Sequence, residues 1–564
     1  MPHGFRRTPK AGFNYPTPLS SRGPCDIYAT YWLRITDSHR VARNNAKVTP
    51  ESLVRAVESF LTDAKSAVVF EDGAIAFDLA EAKYSISGER NKCLLHMWSS
   101  ERNVVRRVLD AEIKKDGLSL SVQRMGQTRA TKLEICRERD RRTPTAKRAA
   151  RVAYQKELHR VLNRRFPGFT ILQLSTAMDL ERSFGPIYAR GILKQGVSGF
   201  AILGVNAHET QASIDAALTF GILWLDACRQ SHAGKLIIEG LKLFLPPESS
   251  ALTRERIAHL HPSLAKWRLY ELHELESSLR EIDVSDRGNV ATRLVHAPDE
   301  IATYERFSGP LAQIHELMPE AEIAILSAAE VAFRCHGLEF ARARLTQEPG
   351  SFRNLTEVVF GIGAQERVLC DQNMGAFQGL VRSIGEVRHT EGPRDSQLWR
   401  MHPERWLESL AVQNISALDG RLEPTRLYSQ VPAFSASDRA MIDVLTTTRD
   451  RRLAVVELKA DEDIHLPLQG LDYWARVAWH HQRREFQKFG YFPAKELSPK
   501  DPLLFLVAPT LRIHPSTDTL LRYLSPKVSW TLIGIDERWR TNLKPIFRKR
   551  SAREDLPDAG LEVA

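Results

Sequence analysis

The sequence predicts a multidomain chain of mixed α/β and α+β type, with a mixed α+β N-terminal region and a C-terminal quarter that closes on an α-β-β-β-α-β core. Three observations lead there. The chain has 564 residues, which at roughly 150 residues per domain implies about three or four domains. Hydrophobic residues make up 43% and charged residues 26%, values of ordinary globular proteins that exclude disorder and fibrous architecture for most of the length. Short apolar runs of strand length also alternate with helix-compatible runs throughout.

Lys and Arg number 79 against 69 Asp and Glu, a net charge of +10, which suits an anionic partner such as nucleic acid and equally suits an incidentally basic protein. The six cysteines never form a C-x-x-C pair, so neither a disulfide framework nor a structural zinc site is expected, and a reducing cytoplasm fits best. The most apolar stretch, Ala216 to Leu225, is interrupted by Thr219 and Gly221 and falls short of the ~20 residues that span a bilayer. No membrane partner is expected.

In chain order, residues 1–25 are rich in Pro, Gly, Arg and Ser and read as a flexible lead-in. Residues 26–130 alternate apolar runs with turn signals such as Glu71-Asp72-Gly73 and read as a small β-rich or α+β domain. Residues 131–250 open with a basic, helix-compatible run and continue as an α/β domain. In that run Arg148 and Arg151 can hold a phosphate backbone or decorate a solvated face, while Val152, Leu158, Val161 and Leu162 pack inward. Residues 251–399 form a mixed α+β region, with a charged helical stretch expected over Lys266 to Glu281. Residues 400–550 are the C-terminal domain and 551–564 a tail. No internal repeat of fixed period is visible.

The chemistry is concentrated after residue 400. A helix containing Trp406, Leu407 and Leu410 places Glu408 near the rim of its apolar face. A strand candidate, Arg426 to Phe434, follows, and then two apolar β-type runs, Ala440 to Leu445 and Leu453 to Ala460, joined by the charged turn Thr448 to Arg452, which read as a hairpin. Residues i and i+2 share a face of a strand, so Glu457 and Lys459 point together. Asp443, on the neighbouring run, can meet Glu457 across the ladder. Two carboxylates and a lysine on one surface suit Mg²⁺ (or Mn²⁺), which takes a few carboxylates and keeps water or substrate phosphate. A lysine there can hold or help deprotonate a water. Phosphodiester hydrolysis needs such an assembly. A helix then opens at Pro467 and carries Gln469 and Tyr473 on one face. The strand Leu503 to Ala508, a helix from about Ser516 to Leu524 and the strand Val528 to Ile535 complete the series.

This ordered set resembles the PD-(D/E)XK nuclease superfamily, and the step Gln469-Gly470-Leu471-Asp472-Tyr473 looks most like its RecB-like branch, over about Glu404 to Phe547 only. The resemblance implies a restriction-endonuclease-like core. It makes Asp443 and Glu457 metal ligands joined by the Leu458 carbonyl and by Glu408, makes Lys459 the water-positioning lysine, and gives Gln469 and Tyr473 the task of orienting the site and contacting the nucleic-acid backbone. Ile442 stands where the superfamily's name places proline, a variable position. The expected activity is Mg²⁺-dependent hydrolysis of phosphodiester bonds, with DNA as the expected partner. His465 can touch a scissile phosphate, and Arg483 and Arg484 can extend a backbone-tracking groove. Trp474, Tyr491 and Phe492 can stack on bases or fill the core. Competing expectations are a catalytically silent DNA-binding scaffold with a nuclease-like fold, and an RNA or signal-gated defence nuclease controlled by the upstream regions. No G-x-x-x-x-G-K-[ST] loop is present, so a motor would be a separate partner. Oligomeric state is not legible.

Overall fold

In a computed structural model the chain is described over residues 49–551, apart from short internal stretches such as 137–143, 286–291, 348–353 and 435–438. The lead-in, the first part of the basic run and nearly all of the tail lie outside the described residues. The described chain is multidomain, with mixed α/β architecture, in two compact units divided between Ala149 and Ala150. Among the described residues no helix is long and apolar enough to cross a membrane.

The first unit is β-rich. Seven antiparallel strands run in the order Ala74–Asp78, Val68–Glu71, Ala130–Cys136, Gly117–Arg124, Asn103–Lys114, Lys92–Trp98 and Lys83–Glu89. The amphipathic helix Pro50–Thr62 buries Leu53, Val57, Phe60 and Leu61 in the same core as the inward positions of these strands.

The second unit contains three sheets. The basic run does form a helix, Pro144–Arg165, in which Leu158, Val161 and Leu162 are buried, whereas Val152 is exposed. Six strands follow: Thr170–Ser175, Ala189–Gln195, Ser198–Gly204, Ile237–Leu245, Lys266–His273 and Ser278–Ile282. The region expected to be a charged helix over Lys266 to Glu281 is instead the last antiparallel pair of this sheet. Its Trp267 and Leu269 alternate with exposed Lys266 and Arg268 at period two, and from Tyr270 to Leu272 both faces are buried; that pattern, not the charge content, decides the conformation. A meander of five strands, from Glu322–Ser327 to Arg367–Val368, packs with helices Ser308–Leu317 and Met374–Val387 around a separate core.

The C-terminal sheet runs Tyr428–Phe434, Arg439–Thr447, Leu453–Leu458, Leu503–Pro509, Ser529–Ile535 and Pro545–Arg550. Its first three strands are antiparallel, the next two join in parallel, and the last returns antiparallel. Helix Pro403–Gln413 covers one face and helix Leu466–Gln482 the other. The sheet of residues 170–282 has the same strand order and the same directions throughout. The repeat is one of topology, which a scan for sequence period does not see.

These two sheets do not have separate cores. Ile222, Leu225, Leu241 and Leu269 belong to one buried cluster with Leu471, Trp474, Leu504 and Leu520. A chain begun at Met401 would present the apolar face of helix Leu466–Gln482 to water. Such a fragment is expected to lack a cooperative thermal transition and to bind a hydrophobic dye, checked by circular dichroism and dye fluorescence; a sharp transition at the full chain's Tm would contradict this.

Candidate active site

The hairpin of Arg439–Thr447 and Leu453–Leu458 is apolar on both faces because helices cover both, so any charge on it is buried. Its backbone ladder pairs Val444 with Val456, and the next step places Asp443 opposite Glu457. There the Asp443 carboxylate takes over the acceptor role: Oδ2 accepts from the Leu458 amide at 2.9 Å. Leu458 itself turns its side chain into the opposite core.

Glu457 is 1% exposed. Its Oε1 lies 3.3 Å from Lys459 Nζ, and its Oε2 has no hydrogen-bond partner among the described residues. Burial, and then the facing Asp443, hold the Glu457 carboxyl well above the usual carboxylate range. Burial likewise pushes Asp443 up to about 6, against the Leu458 amide, which favours the charged form. For Lys459 burial alone would favour the neutral amine, but Glu457, Glu404 and Asp463 together more than offset it, and the ammonium is held above its ordinary value. Lys459 is therefore a fixed cation at neutral pH, a donor and not a base.

Glu408 is buried on helix Pro403–Gln413, further in than the rim its spacing suggested. Its Oε2 accepts from Arg405 at 2.9 Å and from Gln430 at 2.6 Å. Gln469 and Tyr473 lie one helical turn apart, with Gln469 Nε2 donating to the Tyr473 hydroxyl at 3.3 Å. The buried Tyr473 phenol is raised by burial and by Glu457, so the pair borders the carboxylates. The helix carrying Glu408 is held from below. Buried Arg388 donates to four carbonyls, those of Cys335, His336, Leu398 and Met401, and lies 4.8 Å from the Trp406 ring. Gly337, at φ +72°, lets its backbone approach Arg405 so closely that a Cβ would stand 2.1 Å from that carbonyl oxygen.

The other expected nucleic-acid contacts are placed elsewhere. His465 Nδ1 is 3.3 Å from Thr219 Oγ1, and its ring meets Phe220 edge-on, which leaves it between two helices with its pKa lowered by burial. Arg483 and Arg484 are exposed at the far end of helix Leu466–Gln482, about 20 Å along its axis from Gln469. Arg148 is exposed, and Arg151 is engaged by Glu209 at 2.6 Å. Trp474, Tyr491 and Phe492 are core residues and cannot stack on bases; the Trp474 indole donates to the Pro502 carbonyl. Sequence reasoning missed Glu404 and Asp463, 3.8 and 3.9 Å from Lys459 Nζ, and Gln430. Glu404 and Glu408 share a helical face at spacing four, a readable signal; Asp463 sits in a loop and Gln430 on a strand, and neither carries one.

Among the described residues no three His, Cys, Asp or Glu side chains converge as a ready-made metal cage. The donors on offer are Asp443, Glu457 and a backbone carbonyl, the sparse oxygen set that Mg²⁺ accepts because it keeps several waters. The partnerless Glu457 oxygen and the two raised carboxyls fit a cation at that point.

No protein-family model matches the chain, and no curated protein does. Among solved structures, the one described as "Structure of EndoMS-dsDNA2 complex" matches with 14% identity over 40% of this chain and 95% of that chain, at a TM-score of 0.18. A TM-score of that size carries no argument about this chain.

The charge pair has a pH signature. The folded-state value of Asp443, about 6, exceeds its unfolded value of 3.8, so its proton stabilises the fold fully below about pH 4 and that contribution is lost as the pH rises through about 6. In chelator, the Tm of the wild-type chain is expected to fall between about pH 5 and 7 more steeply than that of Asp443→Asn. Glu457→Gln is expected to raise Tm at neutral pH by about 2 °C or more, measured by calorimetry.

Proposed function

We propose that the chain is a metal-dependent nuclease that hydrolyses phosphodiester bonds in DNA, with a C-terminal site of the PD-(D/E)XK type. The observation that carries this reading is the buried pair Asp443 and Glu457, face to face at the end of an apolar hairpin, with one carboxylate oxygen unpartnered and the Lys459 ammonium 3.3 Å from the other. A fold gains nothing by burying two like charges together, whereas a phosphoryl-transfer site needs anionic donors and a fixed cation in one place.

In this reading Asp443, Glu457 and the Leu458 carbonyl hold Mg²⁺ or Mn²⁺. When bound, the cation neutralises the carboxylates and polarises a phosphoryl oxygen. Lys459, permanently charged, donates a hydrogen bond that holds the attacking water in line and offsets charge developing on the phosphorus oxygens. Glu404 and Asp463 keep that ammonium aimed. Glu408, tied to Arg405 and Gln430, positions the wall of the site. Gln469 and Tyr473 orient Glu457 and present polar atoms to the nucleic-acid backbone. The positive net charge favours approach of a polyanion.

The chain is expected to cleave labelled DNA with Mg²⁺ or Mn²⁺ and not with chelator. Lys459→Ala is expected to lower the rate by about 100-fold or more, with Mg²⁺ still raising its Tm. Glu457→Gln should lose both cleavage and the Mg²⁺-dependent rise in Tm. Intact DNA duplexes, single strands and branches, or cleavage indifferent to these substitutions, would refute the reading.

A further inference from the structure

The two sheets of matching topology in the second unit can be aligned residue by residue from their packing. Gly221 and Gly470 are equivalent: a Cβ on Gly221 would meet Leu241 and Leu243, and a Cβ on Gly470 would meet Leu504 and Leu506. Leu243 pairs in parallel with Leu203, and Leu506 with Glu457. Leu203 therefore stands at the position of Glu457. Two residues on, Val205 stands at that of Lys459, and both amides donate across the same ladder, to Phe244 at 3.1 Å and to Val507 at 2.9 Å. Arg190 pairs with Leu203 and occupies the place of Asp443. On the covering helix, Phe220 and Trp224 take the places of Gln469 and Tyr473. At these five positions every group of the candidate site is replaced. Arg190 is itself satisfied within its own half, donating to the Gly185 and Ala177 carbonyls and lying 4.6 Å from the Phe184 ring.

The two halves also meet reciprocally. Helix Leu466–Gln482 packs on helix Ala251–Ile257, and helix Ala217–Ser231 packs on helix Thr517–Arg522, so that each half offers the same two elements to the other. Arg256 pairs with Asp472 and Arg522 with Asp226 across the two contacts. At the centre Leu260 and Leu524 form an antiparallel bridge, flanked by His261 N to Tyr523 O and Ser525 N to His259 O, both 2.8 Å. Self-complementary contacts of this kind define a two-fold interface between subunits.

We propose that residues 150–282 are a catalytically silent copy of the C-terminal domain, that the two form an intramolecular pseudo-dimer, and that one chain therefore cuts one strand of a duplex per binding event. The strand count rests on the nuclease reading above; the pseudo-dimer does not. A true two-fold dimer offers one site to each antiparallel strand, and here the second site has Arg190, Leu203 and Val205 in place of its acids and lysine. The silent half already occupies the surface that a second catalytic copy would need.

Two measurements on the full chain test this. Sedimentation of the free protein is expected to give a monomer of 63.9 kDa; a stable two-fold dimer would overturn the pseudo-dimer. With Mg²⁺ and supercoiled plasmid, open circles are expected as the first product, formed at a rate proportional to enzyme concentration, with linear DNA appearing only after them. Linear product formed as fast as supercoiled DNA disappears, or a second-order dependence on enzyme, would overturn the strand count. An uncut plasmid would refute the duplex-nuclease reading, and the mass would still decide the pseudo-dimer.

Discussion

The organising constraint of the C-terminal domain is the electrostatic conflict between Asp443 and Glu457. Each carboxylate loses solvation on burial; Asp443 further raises the proton affinity of Glu457, and Glu408 that of Asp443. The neighbours divide the task of making the pair tolerable without removing it. The Leu458 amide caps one oxygen of Asp443, Lys459 lies against one oxygen of Glu457, and the remaining Glu457 oxygen is left with no partner among the described residues. A site compensated only in part has an interaction still to make, and a cation is what the proposed function would put there.

Holding such a conflict requires a stiff surround, since a loose one would let the carboxylates part or reach water. Stiffness comes from three directions. Both faces of the hairpin are covered by apolar helices. Arg388 ties the Cys335–His336 turn of the five-stranded module to the start of the helix that carries Glu408 through four carbonyls. Gly337 allows a backbone approach to Arg405 that any side chain would forbid. The meander of residues 322–368 thus acts on the site by fixing the helix that carries Glu404 and Glu408, and its Arg334 sets a positive charge near Glu408.

How much of this was legible in the sequence follows from which signals are local. Two continuous apolar runs joined by a charged turn placed the hairpin, and helical spacing placed Gln469 beside Tyr473, because both patterns are local in the chain. Period two also ran through Lys266 to Leu269, yet the charged residues of the segment hid it behind a helical reading. Glu404 was within reach of the same spacing argument as Glu408. Asp463 and Gln430 were not, since what brings them in is the path of a loop and the register of an edge strand. The duplicated topology was invisible for a related reason: a fold of this kind asks only for apolar residues at inward positions, and Ala201, Leu203 and Val205 meet that demand as well as Val455 does.

The two halves serve as a control experiment inside one chain. At equivalent positions of the same topology, one half buries Leu203 and Val205 where the other buries Glu457 and Lys459, and both halves fold. Replacing buried ion pairs by apolar residues is commonly neutral or stabilising, so the fold by itself gives no reason for the charges in the C-terminal half. The matching half also buries Arg190, Lys242 and Glu271, each with partners, whereas the C-terminal half leaves facing carboxylates with an unpartnered oxygen, which is the pattern expected where chemistry, not stability, sets the residue. The same comparison explains how a partner domain can lose its site and stay: its apolar substitutes strengthen its core, while the reciprocal contacts at Leu260 and Leu524 depend on none of the positions that changed.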